Sequence, residues 1–228
     1  MDKILLKPVE SEVHYQVLFT TPAFALLANP VPLYENILKR LSKYGANLNS
    51  IAIETGNLAN TNAVCTLFNL NAVVRFRLER LEISFMRAKR SDEPSTKEIF
   101  LDALAVINET PGAPIIKDYL ANVHFVTEIQ NFLYKDVVSS FVNSPKVFGD
   151  KIDAGVAFYT PEDSSKGERQ GSVVIDRVAG IGRGLDLRIA GVFDANIVKV
   201  EMVSDSVDNF VNRQIDNLGF VLVVEKNT

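Results

Sequence analysis

Val73-Val74-Arg75-Phe76-Arg77-Leu78-Glu79-Arg80-Leu81-Glu82-Ile83-Ser84-Phe85-Met86 is the stretch on which the fold turns. Val74, Phe76 and Leu78 alternate with Arg75, Arg77 and Glu79, the period of a half-buried strand. The apolar positions then become Leu81, Ile83 and Phe85, a slip of one residue with no glycine, proline or asparagine to mark a turn. That slip predicts one long strand bent by a β-bulge at Glu79-Arg80, where two residues oppose one on the neighbouring strand. The same figure recurs at Leu185, Leu187, Ile189 and Val192, each 111 residues after Val74, Phe76, Leu78 and Leu81. The bent strand is therefore expected at the centre of a repeated half.

Towards the N-terminus, Val13 to Phe19 is a strand candidate, followed by a loop with Pro22, Pro30 and Pro32. Tyr34, Ile37, Leu38, Leu41 and Tyr44 then fall on one helical face, and Gly45 is placed to end that helix. Ile51 to Thr55 and Ala63 to Phe68 read as short strands. After the bent strand, Ser95-Thr96-Lys97-Glu98 spells a capping box and predicts a helix to about Glu109, with Phe100, Leu104 and Ile107 buried. Pro111-Gly112-Ala113-Pro114 stops it.

The order then returns. Val123-His124-Phe125 echoes Val13-His14-Tyr15, and Tyr134, Val137, Val138 and Phe141 echo Tyr34, Ile37, Leu38 and Leu41. Val156 and Phe158 take the places of Ile51 and Ile53, and Val173 to Val178 that of the strand around Cys65. A helix with Val207, Phe210, Val211, Ile215 and Leu218 ends at Gly219, and Phe220 to Val224 is apolar enough for one more strand.

The expected fold is α+β: an internal duplication of a β-α-β-β-β-α unit, residues 1–112 and 113–228, packed as one pseudo-twofold domain. Joined edge to edge, two such halves give a largely antiparallel curved sheet with helices on one face. In element order alone this resembles the saddle of TATA-box-binding proteins and other duplicated sheet-and-helix folds. No motif is shared, so the resemblance implies an architecture and carries no function.

An apolar fraction of 47% with 23% charged residues is that of a soluble globular protein rather than a disordered chain. The net charge of −4 argues against nucleic acid or an acidic membrane as the main partner. The apolar run Ile4 to Leu6 is too short for a signal peptide, and one cysteine forms no internal disulfide, which together predict a cytoplasmic protein.

Few residues point to chemistry. His14 and His124 sit between apolar neighbours with no other ligand at metal spacing, so no metal is expected. Cys65 reads as a small buried hydrophobe. Gly180-Ile181-Gly182-Arg183-Gly184 lies between two strands, as a hairpin loop does, and not ahead of a helix as in a phosphate cradle. Arg75, Arg77, Arg183 and Arg188 are weak anion-site candidates, and Arg87, Lys89 and Arg90 add positive charge after the central strand. The polar run Glu162 to Arg169 reads as a solvated connection.

The segment Thr21 to Pro32 breaks the symmetry between the halves and carries Phe24, Leu26 and Leu27, which makes these the interaction candidates. With no local catalytic set and no cofactor motif, the expectation is a non-enzymatic binding or scaffold protein acting through protein contacts, self-associating as a homo-oligomer. The alternative is a small-molecule carrier for an apolar ligand, with its pocket between sheet and helices. A nucleic-acid binder using the arginine face ranks third.

Overall fold

The computed structural model describes residues 3–54, 61–88, 93–142 and 155–223. Thr55, Lys89, Arg90 and Val224 of the sequence reading lie outside the described residues. The first half runs β1 (Ile4–Phe19), α1 (Phe24–Ala28), α2 (Val31–Leu41), β2 (Ile51–Glu54), β3 (Asn62–Leu67), β4 (Ala72–Arg77), β5 (Arg80–Met86) and α3 (Glu93–Glu109). The second runs β6 (Ile116–Ile129), α4 (Tyr134–Phe141), β7 (Val156–Thr160), β8 (Gly171–Arg177), β9 (Gly184–Asp194), α5 (Val203–Asn217) and β10 (Phe220–Leu222). Among the described residues no helix is long and apolar enough to cross a membrane.

The ten strands of the described residues form one sheet in the order β2-β3-β4-β5-β1-β6-β9-β8-β7, with β10 pairing β1 in parallel. The remaining pairs are antiparallel. β1 and β6 are the central pair, with Val13 opposite Val123. Stepping outward from these two, Val13 pairs with Phe85 of β5 and Val123 with Ile189 of β9. One strand further, Ile83 pairs with Val74 of β4 and Leu187 with Ile175 of β8. Beyond them Val74 pairs with Cys65 of β3 and Ile175 with Val156 of β7. The two halves thus repeat one another strand for strand about the Val13–Val123 contact. β2 is an addition to the first half and β10 to the second.

Both element orders depart from the expected β-α-β-β-β-α unit by the added strands β2 and β10, and the strands themselves are not the expected ones. Residues 73–86 form a hairpin, not one bulged strand: Phe76 pairs with Leu81 across a turn at Leu78-Glu79. Neither turn residue has a positive φ, so the turn needs no glycine or asparagine and leaves no spelling. Long-range bonds hold it instead. The Phe19 N–H donates to the Glu79 carbonyl at 3.0 Å and the Ala23 N–H to the Leu78 carbonyl at 2.7 Å.

The matching slip in the second half is also not a bulge. β9 runs straight through, with Leu185, Leu187, Ile189, Gly191 and Phe193 on its buried face. Gly191 is small because Phe210 lies against it: a Cβ there would meet the Phe210 ring at 3.1 Å. The 111-residue spacing therefore compares unlike strands. The strand around Cys65 is equivalent to β7, and β4 to β8.

Other boundaries moved for local reasons. α3 begins at Glu93, so Pro94 sits in the first turn, where a missing N–H costs nothing, and Ser95 lies inside the helix instead of capping it. β1 starts at Ile4, nine residues before the expected strand, because β6 and β10 pair with its N-terminal part. Against the helix-covered face, Tyr15, Phe85, Phe100 and Tyr119 interlock with ring centroids 5.1–6.4 Å apart. Truncating Phe100, which is 1% exposed, to alanine would cost about 3–5 kcal/mol.

Candidate functional site

Alternation along the central strands sends odd and even residues to opposite faces. On the helix side, Val13, Val123 and Phe125 floor a cleft of about 730 Å³, and Val207, Val211 and Ile215 of α5 form its wall. Apolar small-molecule sites fall in the range of roughly 300–1,000 Å³. Two valines at the centre of the sheet, where aromatic residues would fill the layer, leave this space beneath α3 and α5.

The cleft opens where β1 changes neighbours. On one flank β1 pairs with β10 as far as Leu6 and with β5 only from Glu12. Between them lie an irregularity at Pro8–Glu10 and a proline that has no N–H to offer a partner. The Ala88 N–H donates to the Ser11 carbonyl and the Ser11 hydroxyl to the Ala88 carbonyl, closing the gap at one end. On its lining Arg87 stands 3.5 Å from Glu10, and away from the lining Lys97 of α3 reaches Asp205 of α5 at 2.7 Å.

On the uncovered face, the same strands carry a polar chain that crosses the pseudo-twofold axis. Ser84 Oγ is 2.9 Å from His14 Nδ1, and His14 Nε2 is 3.3 Å from Glu12 Oε2. That carboxylate oxygen is 3.7 Å from His124 Nδ1, whose Nε2 lies 2.9 Å from Asp186. The two histidines occupy equivalent places, His14 beside Asn122 and Ser84, His124 beside Glu12 and Arg188. Among the described residues no group of three or more His, Cys, Asp or Glu is arranged to hold a metal ion.

The arginine candidates are dispersed, and Arg77, Arg183 and Arg188 are engaged. Arg77 and Arg80 both reach Glu82, at 3.0 and 2.6 Å, and Arg188 reaches Asp186 at 2.7 Å. Burial acts to raise the Glu82 carboxyl, but Arg80 and Arg77 outweigh it and hold the group below its ordinary value. Arg75 neighbours Glu82 across β4 and β5, and Arg183 donates to the Gln130 carbonyl at 3.3 Å on the loop between β8 and β9. The sheet brings Arg75 and Arg77 together, while Arg183 and Arg188 belong to the other half.

Phe24, Leu26 and Leu27 lie on α1 and separate by exposure. Leu26 is 0% exposed and belongs to the core, Leu27 packs against it, and Phe24 is 54% exposed. Cys65 is buried in β3, and burial pushes its thiol up. The glycine loop joins β8 and β9, with Gly180 at φ +83°. Glu162 to Arg169 is not simply solvated: Glu168 is 7% exposed and takes a charge-assisted bond from Arg213 of α5. The sequence points to a pocket between sheet and helices but not to the residues that line it, because these come from β1, β6 and α5; the paired valines at 13 and 123, each followed by a histidine, are the one local sign.

No family model matches the chain, and no curated protein matches it either. Among solved structures it is similar to Methanococcus jannaschii TBP, at 13% identity over 93% of this chain and 96% of that one, with a TM-score of 0.25. At that score the likeness carries no argument about what the chain binds.

Proposed function

We propose that this chain is a non-enzymatic binding protein that carries a small apolar molecule in the cleft between α3, α5 and the middle of the sheet. The observation that supports it is the cleft itself, about 730 Å³, in which Val13, Val123, Phe125, Val207, Val211 and Ile215 stand beside a polar rim that includes Lys7, Glu10, Arg87 and Asp208. Apolar surface left open to water at the centre of a layer is stabilised by about 25 cal/mol for each Å² that a ligand covers. Native mass spectrometry of freshly purified protein tests the proposal. A bound mass removed by organic extraction is the expected result. A spectrum at the chain mass of 25.2 kDa alone, with no uptake of an added apolar probe, would contradict it.

A second reading, self-association through protein contacts, rests on α1 and its neighbours. Phe24 is 54% and Ile115 75% exposed. Their segments adjoin, since the Thr20 N–H donates to the Ile115 carbonyl at 2.8 Å. Light scattering at high concentration tests this reading, and a strict monomer would remove it. Nucleic acid is not proposed as a partner, because Arg77, Arg80 and Arg188 already face carboxylates.

A further inference from the structure

We infer that Ser84 is an acylation site, a hydroxyl made nucleophilic by His14 and reactive towards activated carboxylic esters. The site lies on the uncovered face of the sheet, so it is independent of the carrier proposal and adds to it a covalent modification of the chain. Ser84 of β5 and His14 of β1 are directly paired, and Ser84 Oγ is 2.9 Å from His14 Nδ1. His14 Nε2 is 3.3 Å from Oε2 of Glu12, two residues back along β1 and therefore on the same face. An activated nucleophile needs this arrangement: a hydroxyl within hydrogen-bond reach of a base, and a third group that orients the base.

Glu12 decides which nitrogen faces the serine. A carboxylate accepts and does not donate, so it favours the imidazole that carries its proton on Nε2. Nδ1 then holds the lone pair, and the Ser84 hydroxyl donates to it. Glu12 is itself held, since His124 Nδ1 lies 3.7 Å from the same oxygen and Asp186 lies 2.9 Å from His124 Nε2. The side chains of His14 and Glu12 are 32% and 21% exposed and Ser84 is half-buried, which leaves the row within reach of a small reagent. Ser11, Ser50 and Ser140 differ: their hydroxyls donate to backbone carbonyls, which cannot carry a proton away.

In the acylation, Ser84 Oγ attacks the carbonyl carbon of the ester and forms the new C–O bond. The hydroxyl proton passes to His14 Nδ1, the bond to the leaving alkoxide breaks, and that alkoxide takes the proton from His14. Asn122, exposed on β6 opposite His14, puts an amide on the same face.

Treating the intact protein with p-nitrophenyl acetate at neutral pH, and mapping the acetylated residues by peptide mass spectrometry, tests this. Ser84 is expected to acetylate about a hundredfold faster than the other serines, the lower end of what a positioned base contributes. His14→Gln should bring Ser84 down to the rate of the other serines. His14→Gly should regain part of the rate when imidazole is added, which a folding defect would not allow. Glu12 is a positioning residue: Glu12→Gln should slow Ser84 about tenfold in the wild type and have no effect on top of His14→Gln. An unmodified Ser84, or one modified equally fast in wild type and His14→Gln, would overturn the inference and leave the carrier proposal, measured at the other face, standing.

Discussion

Val13 of β1 stands directly opposite Val123 of β6, and the two side chains floor the cleft from equivalent places in the two halves. Neither half encloses the space alone. The pseudo-twofold contact that joins the sheet is therefore also the bottom of the proposed site.

Enlarging one of these valines should fill the cleft while sparing the sheet. Val123→Phe places a strand-compatible ring into open space, so the melting temperature is expected to stay within a few degrees. Affinity for an apolar fluorescent probe should fall at least about tenfold, which is about 1.4 kcal/mol. Titrations of the two proteins side by side check this, and unchanged affinity would place the probe elsewhere.

Gly112 ties the junction between the halves to α1. Its φ is +80°, and a Cβ there would lie 2.4 Å from the Ala25 Cβ. Gly112→Ala is expected to destabilise the protein by about 2 kcal/mol from the left-handed backbone alone, with the collision added. Combining it with Ala25→Gly should recover the part due to collision. Urea denaturation of the single and double variants measures both parts, and equal losses would mean that the loop moves aside freely.

The buried Glu168 depends on Arg213. Arg213→Ala leaves the carboxylate without its charge partner and is expected to cost about 3 kcal/mol. Replacing Glu168 with glutamine in the same protein should return much of that loss, because the stranded charge is gone. Denaturation midpoints of the three proteins decide it. A loss under about 0.5 kcal/mol for Arg213→Ala would show that solvent reaches Glu168.

Glu82 gives stability a dependence on acid. Its carboxyl titrates below the ordinary value in the folded protein, so near pH 4 the unfolded chain binds a proton that the folded chain does not. This contribution is present above about pH 4.3 and is lost as the pH falls through the lower folded value. Wild type and Glu82→Gln should therefore differ most at neutral pH and converge once the pH has fallen below the lowered folded value. A gap that stays constant across that window would contradict the assignment.

The sequence carried the order of elements well, because periodicity and helix-stopping residues are local signals. The helix through Ile37 and Leu41, the buried line Phe100, Leu104 and Ile107, and the large antiparallel sheet all appear in the structure. Strand identity was harder to read. The turn at Leu78-Glu79 is held by carbonyl bonds to Phe19 and Ala23, so nothing at the turn itself announces it. Gly191 imitated a slip because a ring from α5 occupies the space of its side chain. Leu26 looked like surplus apolar residue until α1 was seen to turn it into the core. The cleft is the least legible feature, since a space left between distant residues has no spelling of its own.

The most direct measurement is a methyl-resolved NMR titration of the valine-labelled protein with decan-1-ol. Saturable shifts are expected at Val13, Val123, Val207 and Val211, with Val17, fully buried in β1 away from the cleft, unmoved. Shifts absent from those four methyl groups, or spread without saturation over exposed valines such as Val31, would contradict a ligand seated over the central pair of strands.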